Sequence, residues 1–194
     1  MILMSLADQF GQIDIYLFDQ LLKGRITAAD RVLDAGCGSG RNLLYLLQMG
    51  AIVSSVDTHP AAVDGVRALA AELQPGTPAD RFRVESVERL SFADASFDVV
   101  ISSAVLHFAR DGAHFQAMVD EMWRVLRPGG MLFARLASPM PDGGATSGPY
   151  THLTSPKQLE ELTARLGGQL LDPIKTTVVH GQRAMSTWVV RKSG

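Results

Sequence analysis

The run Val32-Leu33-Asp34-Ala35-Gly36-Cys37-Gly38-Ser39-Gly40-Arg41-Asn42 constrains this chain more than any other stretch. β-favouring apolar residues lead into an acid, a glycine-spaced turn follows, and Leu43-Leu44-Tyr45-Leu46-Leu47 continues as a helical run. Strand, glycine turn and helix in that order open a βαβ unit. The glycines let the backbone turn tightly and let a ligand approach the main chain without meeting a Cβ. The spacing predicts a helix over 39–49, whose first-turn N–H groups point at that ligand.

Two ligand classes use such a turn. A dinucleotide fingerprint is G-x-G-x-x-G, with a pyrophosphate over the helix start. Here the glycines fall as G-x-G-x-G and Arg41 holds the sixth place. Asp34, two residues before the first glycine, would repel a pyrophosphate and attract an ammonium group. S-adenosylmethionine carries an ammonium and a sulfonium and no phosphate, so the pattern favours it over NAD.

Composition narrows the remaining classes. The 194 residues make one domain with a sizeable core. Hydrophobic residues are 46% and charged residues 20%, which argues against disorder. A net charge of −2, with Lys and Arg scattered, offers no basic track for nucleic acid or an acidic membrane. Cys37 is the single cysteine, so no internal disulfide forms and a reducing compartment suits the chain. No apolar stretch is long enough to span a membrane, and Met1-Ile2-Leu3-Met4 lacks a basic flank; the expected location is the cytoplasm.

Apolar residues Leu6, Phe10, Ile13, Leu17 and Leu21 recur at helical spacing, predicting a helix over 5–24. It packs on the domain or, with Tyr16 or Phe10 facing in, forms a lid over 1–26. Strands are expected at 31–35, 51–57, 82–85, 97–103 and 131–137, with helices at 60–73 and 112–126 between them and a turn at 127–130. Asp57 ends the second strand beside the glycine turn, where a carboxylate can accept both hydroxyls of a ribose. It reads equally as the acid before a helix that Pro60 opens. Residues following the third strand, Ser86 and Val87 among them, line the same crevice. The fourth strand is nearly continuously apolar, as a parallel strand buried on both faces should be.

None of the five histidines shows metal-ligand spacing, so no metal site is expected. His107 leaves the fourth strand and reads either as a base or substrate contact, or as a loop histidine satisfied by backbone. The segment 138–154 is rich in Pro and Gly and leaves a strand end; loops this long are usually functional. Ser155-Pro156 starts a last helix. The tail, 174–179 and 184–191 around His180-Gly181-Gln182, reads as a β-hairpin. An antiparallel ending is unlike a dinucleotide-binding domain.

Four stretches together carry a family resemblance: the glycine turn with Asp34, Val56-Asp57, Phe97-Asp98-Val99-Val100-Ile101-Ser102, and Leu126-Arg127-Pro128-Gly129-Gly130. On them the chain resembles the class I S-adenosylmethionine-dependent methyltransferases over nearly its whole length. Gly38-Ser39-Gly40-Arg41-Asn42 and Val105-Leu106-His107-Phe108 resemble the small tellurite-resistance-type members. The resemblance implies a Rossmann-like α/β three-layer sandwich with a seven-stranded, mostly parallel sheet in the order 3-2-1-4-5-7-6, strand 7 antiparallel. It implies a cofactor site built from Asp34, Gly36, Cys37, Gly38, Arg41, Asp57, Thr58, Ser86, Val87 and Ser102. The methionine end would lie on residues 34–40, the ribose on Asp57, and the adenine by Thr58, Ser86 and Val87. Many relatives carry an aspartate where Ser86 stands.

The resulting expectation is methyl transfer from S-adenosylmethionine, leaving S-adenosylhomocysteine, to a small molecule held between Tyr16, His107 and the 138–154 loop. His107 is the first candidate base, with Tyr16 and Tyr150 after it. The chain is expected as a monomer or homodimer. The competing readings are an S-adenosylmethionine-binding module without catalysis and a nucleotide-linked oxidoreductase.

Overall fold

The computed structural model describes residues 5–194. Its elements, in chain order, are α1 (Leu6–Phe10), α2 (Ile15–Leu22), β1 (Arg31–Ala35), α3 (Leu43–Gln48), β2 (Ile52–Asp57), α4 (Pro60–Leu73), β3 (Phe82–Val84), β4 (Phe97–Ser103), α5 (Gly112–Val125), β5 (Leu126–Ser138), α6 (Pro156–Arg165), β6 (Gly168–Leu170), β7 (Lys175–Val179) and β8 (Arg183–Lys192). The sheet runs β3-β2-β1-β4-β5-β8-β6, with β7 also paired to β8. The pairs from β3 to β5 are parallel, and β8 is antiparallel to β5. This is the expected mixed α/β order with one change. The strand expected over 174–179 has a companion, since β6 pairs Leu170 with Val190 and β7 pairs Lys175 with Thr187 along the same edge of β8.

Strand alternation sends side chains to two cores. Leu33, Val100, Leu132 and Trp188 face one side, with Met118, Met122 and Leu159 of α5 and α6 packed on them. Val32, Ile101, Phe133 and Val189 face the other, under Leu17, Leu43, Leu46 and Val63 of α2, α3 and α4. Trp188 is wholly buried, and its ring N–H donates to Thr163 Oγ1 of α6 at 2.8 Å.

Three local expectations change. The helix expected over 5–24 is two helices, broken where Gly11 takes φ +59°. Asp14 then caps α2, its carboxylate accepting from Tyr16 N at 3.0 Å. The helix expected from residue 39 begins at Leu43. The turn expected at 127–130 lies within β5 as an irregularity in its pairing to β4, with Gly129 at φ +76°. Residues 1–4 of the expected 1–26 lid lie outside the described residues. Among the described residues no helix is long and apolar enough to cross a membrane.

Candidate functional site

Parallel strands end side by side, so the loops leaving β1, β2, β3 and β4 meet at one edge of the sheet. They enclose a cavity of about 580 Å³. Of the residues expected at a cofactor, Gly36, Cys37, Gly38, Arg41, Asp57, Thr58, Ser86 and Val87 line it. Asp34 and Ser102 are buried just before the loops of β1 and β4 and are not part of its wall.

The glycine turn is tied to β2. Gly36 N and Cys37 N both donate to Val56 O, at 2.9 and 3.0 Å, and Gly38 N donates to Asp57 Oδ2 at 2.8 Å. These three donors are therefore spent on holding the turn. Gly36, at φ +90°, has no room for a side chain, since a Cβ there would stand 2.5 Å from Val105. Gly38, at φ +50°, has nothing within 4 Å of a Cβ position, so the turn offers bare backbone at the cavity.

Asp34 is the electrostatic singularity of the site. It is 1% exposed, and neither carboxylate oxygen has a hydrogen-bond partner among the described residues. A buried charge without donors is costly, and the group responds by holding its proton. Burial pushes its pKa up to about 7; Arg41 pulls it back and Asp57 adds to the rise. The Ser102 hydroxyl is also buried without a partner among the described residues. The Cys37 thiol is pushed up to about 12 by burial, with the Asp34 charge adding to it, so it stays protonated. Burial pushes the Asp57 carboxyl upward, but the His59 N–H at 2.9 Å and the Gly38 N–H outweigh it and hold the group below its ordinary value. Asp57 is thus a fixed anion on the cavity wall.

A second cluster, unforeseen in the sequence, joins the N-terminal segment to this wall. Asp14 has a fully buried side chain. Its Oδ2 accepts from Arg135 Nη1 at 3.0 Å and from Ser103 Oγ at 3.1 Å, and stands 3.6 Å from Arg41 Nη2. Arg41 Nη2 also donates to Ser103 Oγ at 3.0 Å, and Asn42 Oδ1 accepts from Asp14 N at 3.0 Å. Arg41, Asn42 and Ser103 all line the cavity. The wall also holds Glu88 and His114, with Nε2 3.1 Å from Oε1; His114 Nδ1 accepts from Arg110 N, which puts the ring proton on the Glu88 side. Phe108, half exposed, stands with them. Glu88 falls in the stretch after β3 that sequence already pointed to, whereas His114 lies in the first turn of α5 with no motif to mark it.

None of the three expected bases lies on the wall of this cavity. His107 is 2% exposed, and its Nδ1 accepts from Ala137 N at 3.1 Å. Burial, with Arg183 adding to it, brings its pKa down to about 4. Its carbonyl accepts from Thr151 N and His152 N, which pins the 138–154 loop to the end of β4. The Tyr150 ring lies 4.7 Å from His107, and its hydroxyl accepts from Arg183 Nη1 at 3.3 Å. The Tyr16 hydroxyl is 2.7 Å from Thr177 Oγ1 of β7.

Residues 33–134, from β1 into β5, match the family described as a methyltransferase domain. The uncharacterized methyltransferase YodH of Bacillus subtilis is 36% identical over 113 residues, covering 57% of this chain and 46% of YodH. The chain thus spans under half the length of that relative. Among solved structures, TehB from Haemophilus influenzae superposes with a TM-score of 0.70 at 19% identity, over 91% of this chain and 62% of TehB. The 1,6-didemethyltoxoflavin-N1-methyltransferase of Burkholderia thailandensis, with 1,6-didemethyltoxoflavin and S-adenosylhomocysteine bound, gives 0.68 at 23% identity, over 92% of this chain and 76% of that one. These two likenesses show a shared fold. The family match covers just over half of the 194 residues and takes in β1, the glycine turn, Asp57 and β4: this chain belongs to the methyltransferase-domain family.

Proposed function

We propose that this protein transfers the methyl group of S-adenosylmethionine to a small-molecule acceptor. The observation that carries the reading is Asp34, a buried carboxylate with no donor, set at the end of β1 where the glycine turn opens the cavity. The ammonium of the cofactor is the counter-charge this carboxylate lacks, whereas a pyrophosphate would meet repulsion from Asp34 and Asp57.

The other residues fit the same ligand. Arg41, with the Ser103 hydroxyl, suits the methionine carboxylate, and Ser102 supports the ammonium end beside Asp34. Asp57, anionic and fixed by the His59 N–H, suits the ribose hydroxyls. Thr58, Ser86 and Val87 suit the adenine, with Glu88 nearby to accept from its amino group. Gly36, Cys37 and Gly38 supply bare backbone and a thiol too weakly acidic to compete for the methyl. Bound S-adenosylmethionine supplies a methyl on a sulfonium, already a good electrophile. The chain's task is then alignment and exclusion of water. The α1–α2 segment is tied through Asp14 to Arg41, Asn42 and Arg135 and so braces the part of the wall that Arg41 and Asn42 form.

A base is needed only when the acceptor is protonated where it attacks. His107, with Nδ1 engaged and its pKa near 4, is poorly placed for that role, whereas Glu88 and His114 stand on the cavity wall. The free buried Cys37 accords with a cytoplasmic setting. Calorimetry with S-adenosylhomocysteine and with NADH tests the cofactor, and a label-transfer screen of small acceptors tests the chemistry. Tight binding of S-adenosylhomocysteine and none of NADH is expected. The reverse overturns the reading, and binding without transfer to any acceptor returns the chain to a binding module.

A further inference from the structure

A second cavity, of about 740 Å³, lies between α2 and the β7–β8 edge, and methyl transfer as derived above makes no use of it. Its floor is a cross-strand row. Lys175 on β7 pairs with Thr187 on β8, Thr187 with Arg135 on β5, and Arg135 with Ser103 on β4. Residues paired in register share a face of the sheet, so the row leads from the open edge to the wall of the first cavity.

Ser103 is engaged with Asp14 and Arg41, but the rest of the row keeps unspent polar groups. Thr187 is 7% exposed and lines the cavity, and its hydroxyl has no partner among the described residues. Arg135 gives Nη1 to Asp14 but leaves Nε unpartnered. The Lys175 ammonium and the Arg135 guanidinium stand 5.3 and 5.1 Å from the Tyr16 ring centroid. The acids at the cavity are already engaged. Asp172 takes Arg25 and Lys23, with Gln20 Nε2 at 3.2 Å, and Asp19 takes Lys23. That leaves Lys175 with no carboxylate partner among the described residues. Apolar walls complete the space: Ile15 and Leu22 of α2 are 64% and 73% exposed, and Ile174 and Val189 lie across from them.

We propose that this cavity binds a small organic anion with an apolar body. The head sits on the Lys175 ammonium and the Thr187 hydroxyl, and the body lies against Ile15, Leu22 and Ile174. Two observations select this occupant. The cations exceed the acids that are free to pair with them, which favours a negative head over a neutral or positive one. The unpartnered hydroxyl is buried at the cavity floor, where only a small group that inserts into the floor, and not a flat protein face, could pair with it.

The test is calorimetry on the full chain with octanoate, octan-1-ol and octylammonium as probes. Octanoate is expected to bind at least tenfold more tightly than the other two. Lys175→Glu and Thr187→Val are each expected to weaken octanoate at least tenfold while leaving the affinity for S-adenosylhomocysteine unchanged. Lys175 is exposed, so its substitution does not threaten folding and keeps the test decisive if Thr187→Val unfolds. Equal binding of octanoate and octanol overturns the proposal, as does octanoate binding that Lys175→Glu leaves unaltered. A dimer in sedimentation that Leu22→Glu separates, with no octanoate bound, overturns it in favour of a second copy as the occupant. The S-adenosylhomocysteine titration of the unsubstituted protein reads the cofactor site by itself, so failure there is distinct from failure here.

Discussion

The two cavities stand one strand apart and are built in opposite ways. The first gathers residues that follow β1, β2, β3 and β4, each at the carboxyl end of a parallel strand. Most of its wall therefore comes from short, consecutive loops. The second is assembled from α2, near the start of the chain, and from β7 and β8, near its end. Its contacts, such as Tyr16 with Thr177 and Arg25 with Asp172, span nearly the whole length of the chain. Asp14 links the two, because it caps α2 beside the second cavity and binds Arg41 and Ser103 of the first. A parallel βαβ frame carries its site with it, and the antiparallel end acquires one only when distant segments dock.

If Asp14 is the joint between these regions, removing it should do the most damage. Asp14→Ala leaves Arg41 and Arg135 without their shared carboxylate and strips α2 of its cap. We expect a loss of roughly 3 kcal/mol in urea unfolding, the scale of breaking a buried ion pair. An effect under about 1 kcal/mol would mean that the two regions are held together by apolar packing alone.

Asp57 tests the first cavity by itself. Asp57→Ala should weaken S-adenosylhomocysteine by about 1.5–3 kcal/mol, the scale of hydrogen bonds to a charged group, or roughly tenfold or more in the dissociation constant. Octanoate binding at the second cavity should not change. An unaltered dissociation constant in a folded variant removes Asp57 from the cofactor site.

Asp34 sharpens the contrast through pH. Its folded pKa is raised to about 7, so the unliganded chain holds a proton there that the unfolded chain has released. Its contribution to stability therefore falls as pH rises from about 4 to 7. His107, lowered to about 4, contributes with the opposite sign over nearly the same range. Asp34→Asn removes only the first effect. Stability of the variant should rise with pH more steeply than that of the unsubstituted protein, by up to about 1.4 kcal/mol per unit. An ammonium ligand needs the ionised carboxylate, so affinity for S-adenosylhomocysteine should fall below pH 7 by up to tenfold per unit. Calorimetric affinities at pH 5.5, 6.5 and 7.5 measure this, and a flat profile rules out direct pairing with Asp34.

The smallest expected effect belongs to His107. His107→Ala strips Ala137 N–H of its partner and should cost about 1–2 kcal/mol, with S-adenosylhomocysteine affinity unchanged. If transfer is lost while folding and cofactor binding survive, His107 returns as a base.

The reading from sequence was strongest where function and local structure coincide. Val32-Leu33-Asp34 followed by Gly36, Gly38 and Gly40 specifies a strand, a left-handed turn and a helix from neighbouring residues, so the position of Asp34 and the nature of its ligand could be argued without coordinates. Asp57, Ser86 and Val87 were legible for the same reason, since the end of a parallel strand is a place in the sequence as well as in space. The alternation of strand and helix and the hairpin in the tail pointed to a parallel sheet with an antiparallel ending, whereas its strand order came from the family resemblance.

Tertiary structure alone decided the partners of Asp14, Tyr16 and His107. An amphipathic stretch with a tyrosine reads as a lid or as a packed helix until its hydroxyl meets Thr177. A histidine after a strand reads as a base until Ala137 N occupies its Nδ1 and burial lowers its pKa. Periodicity and turn chemistry are local and are written into adjacent residues. The desolvation of a charge, and the choice of its partner, depend on every segment that packs around it, and so they exist only once the chain has folded.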